Sequence, residues 1–401
     1  MTAEMIAENR DALSDLRQGI GSVNKVSDFF FPKIIPALTG IRGVAAVWVA
    51  THHLLPPMMT SLKLHLLDHL GIVENGFRSV DLFFVLSGFI LMLTHGNEFR
   101  VRSLAVVRRF FILRFVRVYP LHIIIMLLIV PFVLLFPGFV HWSRIYTSQN
   151  FAYKAHGFSW PGFVQSFLLV QTWTVAKLGT WNGPSWSLSA EVLGYLLFPI
   201  AAWGLLYLKR PAVLHGLAGC ILAVECGLLA VTHHAYDNPS GTMGAVRMLG
   251  GFMAGMALGQ AVLIAKPLQG WEAARVTWGS LGFILCTLAF PPLAPVMVFG
   301  FAWLLFGLAY QQDAVGRALG NRVFLWLGGL SFSFYMVHFI LFKIFLWGIE
   351  PGLLQAGTEK ILLGWTGLLA VMVLCALALR QWVERPSHRL ARRLAGPRIL
   401  P

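Results

Sequence analysis

The stretch GIRGVAAVWVATHHLLPP reads as a bilayer-crossing run, yet it carries Arg42, His52 and His53. An isolated charge at the centre of a bilayer costs roughly 2.5–3.5 kcal/mol on insertion scales, so ionisable residues there point to function. Three further apolar runs carry them: Asp81 in SVDLFFVLSGF, Glu191 in PSWSLSAEVLGYLLFP, and His338 with Tyr335 in GLSFSFYMVHF. A histidine of near-neutral pKa can remove a proton from a hydroxyl, worth about 10² to 10⁴ in rate when well placed. A carboxylate on its other ring nitrogen fixes the tautomer and stabilises the imidazolium as it forms. His53 as base, with Asp81 or Glu191 as its partner, supplies both parts. Arginines bind phosphates bidentately, and RRFFILRFVR brings together Arg108, Arg109, Arg114 and Arg117.

The elements that position these groups are membrane helices. The chain has 401 residues, 57% hydrophobic and 12% charged, with a mean hydropathy of +0.71. Apolar stretches recur from residue 36 to residue 380, and no polar interval between them is long enough to fold alone. The fold class is therefore all-α, a polytopic membrane protein with about ten transmembrane helices. They are expected at 36–57, 78–96, 115–137, 186–208, 212–232, 244–265, 276–291, 293–311, 325–348 and 361–380. GFVQSFLLVQTWTV at 162–175 reaches only about 21 Å as a helix against a hydrocarbon core of about 30 Å, and reads as interfacial or re-entrant. The organisation expected is a cytoplasmic N-terminal segment (1–33), a membrane domain (34–385) and a basic cytoplasmic tail (386–401). The N-terminal segment is too polar for a signal peptide, so the first helix is expected to direct insertion.

The net charge of +14 sits at helix ends, as the positive-inside rule requires, and calls for no nucleic-acid partner. With 162–175 not crossing, every basic loop falls on one side and both termini are cytoplasmic. The four cysteines lie in apolar spans without metal-ligand spacing, which reads as inert core thiols and no metal. Gly251, Gly255 and Gly259 share one helical face at the spacing that lets helices pack closely. The pairs Pro56-Pro57 and Pro291-Pro292 read as helix stops.

Depth follows from residue counts at about 1.5 Å per residue. His53, Glu191, Asp81 and His338, from four helices, fall at one depth in the outer half. Arg42 and the arginines of the third helix fall on the cytoplasmic side. Arg42 and His53 are three turns apart, on one face, with about 16 Å between them. A cation at one end and an imidazole at the other suit a donor with phosphates far from its reactive group, as in acyl-CoA. Structural readings stand beside these: the arginine cluster as a topology anchor, His52 and His338 as packing residues, Ser87 and Gly88 as a close-packing surface. Glu191 is the hardest to read as inert, because a buried carboxylate must find a partner or take up a proton.

The same motifs resemble those of the membrane-bound acyltransferase family 3, bacterial O-acyltransferases of surface glycans. LTGIRGVAAVWVATHH resembles the first-helix pattern of a basic residue, ten residues and a histidine, which maps the family's catalytic histidine to His53 and its basic partner to Arg42. VDLFFVLSGFIL, with Asp81 and Ser87, is similar to the second-helix motif, and RFVRVYP to an Arg-x-x-Arg followed by Tyr-Pro, carrying Arg114 and Arg117. PSWSLSAEVLGYLLFP carries over Glu191, and GGLSFSFYMVHF carries over Ser331, Ser333, Tyr335 and His338. Val192 stands where many members have a second acidic residue, so a role shared by two carboxylates rests on Glu191. Some members add a hydrolase-like domain after the last helix; here transfer is expected to be completed in the membrane domain or handed to a separate protein.

The resemblance implies an acyl-CoA-dependent enzyme of the bacterial inner membrane, with acetyl-CoA the leading donor and succinyl the alternative. It would act on a hydroxyl of an exopolysaccharide or a lipid-linked glycan, in contact with membrane lipid. The catalytic residues would be His53, Glu191 and Asp81. Arg114, Arg117 and Arg42 would hold the donor, and Tyr335, His338 and Ser87 the substrate. His53 would be a general base or a transient acyl carrier. Two other readings use the same residues: a proton-coupled transporter, and a non-catalytic component of a polysaccharide export machine. Oligomeric state stays open.

Overall fold

The computed structural model describes residues 35–64, 70–150, 158–173, 181–232, 242–310 and 313–398, all within the compact unit Ile34–Pro401. The expected N-terminal segment 1–33 lies outside the described residues. The described residues contain helices and turns and no strand. The principal helices are α1 (Pro36–Ser61), α2 (Ser79–His95), α3 (Leu104–Leu135), α4 (Pro137–Asn150), α5 (Trp160–Phe167), α6 (Ser185–Leu206), α7 (Pro211–Val231) and α8 (Thr242–Ile264). They continue with α9 (Gly270–Ala289), α10 (Met297–Leu308), α11 (Ala314–Leu319), α12 (Arg322–Gly348), α13 (Glu350–Leu354), α14 (Thr358–Leu379) and α15 (Arg385–Ala395).

Each of the ten expected spans coincides with a helix, and 7 helices in the described residues are long and apolar enough to cross a membrane. The chain is an all-α polytopic membrane protein. Helices α1 and α9 are long enough, at 26 and 20 residues, so composition keeps them out of the seven. In α1 the diluting residues are Arg42, His52 and His53, the groups that raised the functional question. Helix α10, with the 3₁₀ turn before it, is apolar but short. The 162–175 segment begins inside the 8-residue helix α5, about 12 Å long, and leaves it at Phe167 for a turn with Leu169 at φ +57°; residues 174 and 175 lie outside the described residues.

Two expectations are corrected. Pro56 and Pro57 do not stop α1, which runs on to Ser61. Proline removes an N–H donor from the helix interior, so the carbonyls of His52 and His53 lose their donors one turn on. Membrane helices tolerate that loss where neighbouring groups satisfy the freed carbonyls, and past the prolines Thr60 Oγ1 bonds back to the Pro56 carbonyl at 3.0 Å. The cysteines are not core thiols: Cys220 and Cys286 are on the exterior and Cys226 and Cys375 are half-buried. An apolar thiol is as well placed against lipid as in a core.

The glycine face of α8 packs on α2. A Cβ at Gly255 would run into the backbone of Val85 and Phe89, one at Gly259 into Phe89 and Met92, and one at Gly88 into the Phe252 carbonyl. The two backbones are thus in contact with little side chain between them, as small residues allow in membrane helices. On the other side of α2, α1 is clamped to α12, where Gly43 and Gly328 face Leu327 and Thr39. These two seams fix the rotation of the helices that carry the polar groups.

Candidate active site

Helices α1, α2, α3, α6 and α12 line a partly open cleft with a cavity volume of about 140 Å³. Its polar lining is Arg42, Ser87, Arg114, Arg117, Ser187, Glu191, Tyr195, Ser331 and Tyr335. Helical spacing explains the set. Ser187, Glu191 and Tyr195 lie four residues apart on one face of α6, Arg114 and Arg117 three apart on α3, and Ser331 and Tyr335 four apart on α12. Glu191 accepts a hydrogen bond from Ser87 Oγ at 2.5 Å and another from the Tyr195 hydroxyl. It acts electrostatically on Arg42 and Arg114, as does Glu384 on Arg42. Glu384 in turn accepts from Ser333 Oγ at 2.7 Å.

Glu191 therefore belongs with the arginines. Ser187, one turn earlier, has its Oγ 2.9 Å from the Tyr335 hydroxyl. The cleft thus runs from an arginine end to Tyr335.

Beyond Tyr335 stand the histidines. The His53 ring stacks on His338 at 5.6 Å between centroids, with Phe339 at 5.0 Å and His52 at 5.0 Å. His338 is fully buried, and its Nδ1 lies 2.7 Å from the Tyr335 carbonyl. A carbonyl only accepts, so Nδ1 carries the proton and Nε2 the lone pair. Nε2 is buried without a hydrogen-bond partner among the described residues. Two stacked imidazoles beside the cleft can hold or pass a proton. His52 points elsewhere, its Nδ1 donating to the Val73 carbonyl at 2.9 Å.

Asp81 is not brought to His53. Its Oδ1 pairs with Arg247 of α8, 2.8 Å from both Nε and Nη2, with both side chains buried. Arg247 lies over the rings of Phe77 (5.7 Å) and Trp186 (5.8 Å), and Glu225 of α7 shares this field with Asp81 and Arg78. The expected pairing of His53 with Asp81 or Glu191 is replaced by ring contact with His338. Residue counts give a side chain's height, and rotation about the helix axis decides its neighbour.

Sequence reasoning missed Arg247, Glu225, Glu384 and Lys343, whose Nζ donates to Ser143 Oγ at 2.8 Å. The signal was present, since a lone charge in an apolar helix marks each of the first two and Lys343. Glu384 carries a different mark: it ends a stretch of π-helix, Arg380–Glu384, a distortion frequent at functional sites.

A family model described as an acyltransferase domain matches residues 35–381. Acyltransferase MdmB of Streptomyces mycarofaciens is 28% identical over 390 residues, covering 90% of this chain and 93% of that protein. No solved structure matches the chain. Five polar helices around one cleft, seven spans and a family match over most of the sequence agree: the chain belongs to acyltransferase family 3 and is a multi-pass membrane acyltransferase.

Proposed function

We propose that this protein transfers an acyl group, acetyl first among candidates, from acyl-CoA to a hydroxyl of an extracytoplasmic or lipid-linked sugar. The observation that carries the reading is the cleft with three guanidiniums at one end and Tyr335, beside the His53 and His338 pair, at the other. Arg42, Arg114 and Arg117 would bind the phosphates of the nucleotide end. Like charges gathered in a low-dielectric cleft repel one another, and a polyanion relieves that repulsion. Arg114 Nε is buried with no partner among the described residues, which leaves a donor for such a ligand.

The pantetheine arm would lie along Ser87, Ser187 and Tyr335, bringing the thioester to His53. About 16 Å of α1 separates Arg42 from His53, a span that suits that arm. His53 would take the proton of the acceptor hydroxyl as its oxygen attacks the thioester carbon. The carbon–sulfur bond breaks, and the departing thiolate takes up the proton as CoA leaves. In the alternative route His53 itself attacks first and holds the acyl group until the sugar oxygen displaces it. His338 Nε2 is the neighbouring lone pair that would receive a proton from His53. In this reading the arginine end faces the cytoplasm of a bacterial inner membrane, with both termini on that side.

The test is calorimetric binding of acetyl-CoA to purified protein, wild type against Arg114→Ala/Arg117→Ala. Hydrogen bonds to charged groups contribute about 1.5–3 kcal/mol each, so the double variant should bind on the order of 10²-fold more weakly. A monodisperse wild type that binds no acyl-CoA, or a double variant that binds equally well, overturns the reading.

A further inference from the structure

The family match ends at residue 381, but the chain continues through α15 along α3 and brings Pro397 and Arg398 back to the start of α3. Arg109 Nε donates to the Pro397 carbonyl at 3.1 Å. Arg398 Nε donates to Glu98 Oε1 at 2.8 Å, and its Nη2 donates to the Thr94 carbonyl. Glu98 is buried, and its other oxygen accepts from Arg109 Nη1 at 2.7 Å. A carboxylate between two guanidiniums is held firmly in place.

Glu98 is also the far end of a relay. His95 Nδ1 lies 3.3 Å from Glu98 Oε1, and His95 Nε2 lies 3.1 Å from Arg114 Nη2. A guanidinium only donates, so His95 Nε2 must carry the lone pair and Nδ1 the proton, which points at the carboxylate. Both contacts demand the same tautomer. Arg114 stands in the field of Arg117 and Arg109, partly offset by Glu191, and a hydrogen-bond acceptor fixes which way its guanidinium points. A neutral imidazole anchors it by accepting a hydrogen bond while leaving its positive charge available to an anion. A carboxylate in direct contact would cancel more of that charge, and here Glu98 stands one residue further back.

We propose that His95 and Glu98 are positioning residues for Arg114, and that Arg398, outside the matched family domain, completes the set by fixing Glu98. The inference rests on Arg114 binding the phosphates of acyl-CoA. It adds that the affinity of the donor site is set in part by the C-terminal segment.

Donor affinity and turnover in the purified full chain test this. His95→Ala should raise Kd for acetyl-CoA about tenfold, the size of one hydrogen bond to a charged group, and leave kcat at saturating donor within about twofold. His95→Gln keeps an acceptor for Arg114 and a donor for Glu98, and should stay within about threefold of wild type in Kd. In an Arg114→Ala background His95→Ala should add nothing. Should His95→Ala fail to fold, Arg398→Ala carries the test from a partly exposed position and should weaken binding about threefold. A folded His95→Ala, or failing that a folded Arg398→Ala, that binds as wild type overturns the proposal, as does His95→Gln binding as poorly as His95→Ala. Wild-type protein that binds no acyl-CoA overturns the functional reading instead. Binding that needs Arg114 but not His95 overturns this inference alone.

Discussion

Asp81 lies in a run that resembles a family motif, but its contacts give it a structural task. Its Oδ1 is 2.8 Å from Arg247, and the side chains are 5% and 2% exposed. At that separation and an effective dielectric of about 20 the Coulomb attraction is about 6 kcal/mol, against a desolvation cost of several kcal/mol per ion. The net value of the pair is therefore small, while breaking it strands a buried guanidinium, at about 3–5 kcal/mol. Glu225 shares the field of Arg247 and takes up part of the imbalance, which puts Asp81→Asn near the lower figure, about 3 kcal/mol. Arg247→Met alone should cost a similar amount. The double variant Asp81→Asn/Arg247→Met should cost less than the sum by about 2 kcal/mol, because no charge of the pair is left unpaired. Unfolding in detergent, followed by helix content against denaturant, gives all three numbers. At a temperature where Asp81→Asn is folded, kcat should stay within about tenfold of wild type. Additive costs, a single variant costing under about 1 kcal/mol, or a folded Asp81→Asn without activity would each refute the structural assignment.

Three further outcomes follow from the geometry. His53→Ala should lower acyl transfer by about 10² to 10⁴ without changing donor affinity, since His53 is not among the residues that line the cleft with the arginines; activity of the purified variant near wild type would exclude both routes through His53. Gly255→Val should break the α2/α8 seam, because its Cβ meets the Val85 backbone, which cannot swing aside as a side chain would; a drop in yield and unfolding midpoint checks it, and an unaffected variant would show that the seam tolerates separation. Glu350, in the short helix α13 between two spans, accepts from Ser61 Oγ, and burial raises its carboxyl above the ordinary 4.5. The ionised form is disfavoured in the fold, so this group costs stability at neutral pH, and the cost fades as pH falls through the raised value. Glu350→Gln should then match or exceed wild-type stability at pH 7 and lose that advantage near pH 4, read from unfolding midpoints across pH.

How much was legible without coordinates differs by residue. Arg42, Arg114 and Arg117, marked by type and spacing, and Ser87 and Tyr335, marked by the family motifs they resemble, do line one cleft. Ser187, Glu191 and Tyr195 lie along one face of α6, as four-residue spacing requires. The partners were not legible. Asp81 and Glu191 stood at heights that matched His53, yet Arg247 and Ser87 hold them. Pro56 and Pro57 looked like stops because each removes an N–H donor, a loss that a packed membrane helix tolerates and that does not keep α1 from running on to Ser61.

The sequence by itself determined the membrane class and the place of each of the ten apolar helices, because hydropathy and helical periodicity are local, one-dimensional properties. Rotation about each helix axis is set by backbone contact along seams such as Gly255 against Val85, and only the tertiary structure decides it. That rotation joins Glu191 to the arginines and His53 to His338. It also brings Arg398 to Glu98 across 300 residues of chain, a distance over which no periodicity carries information.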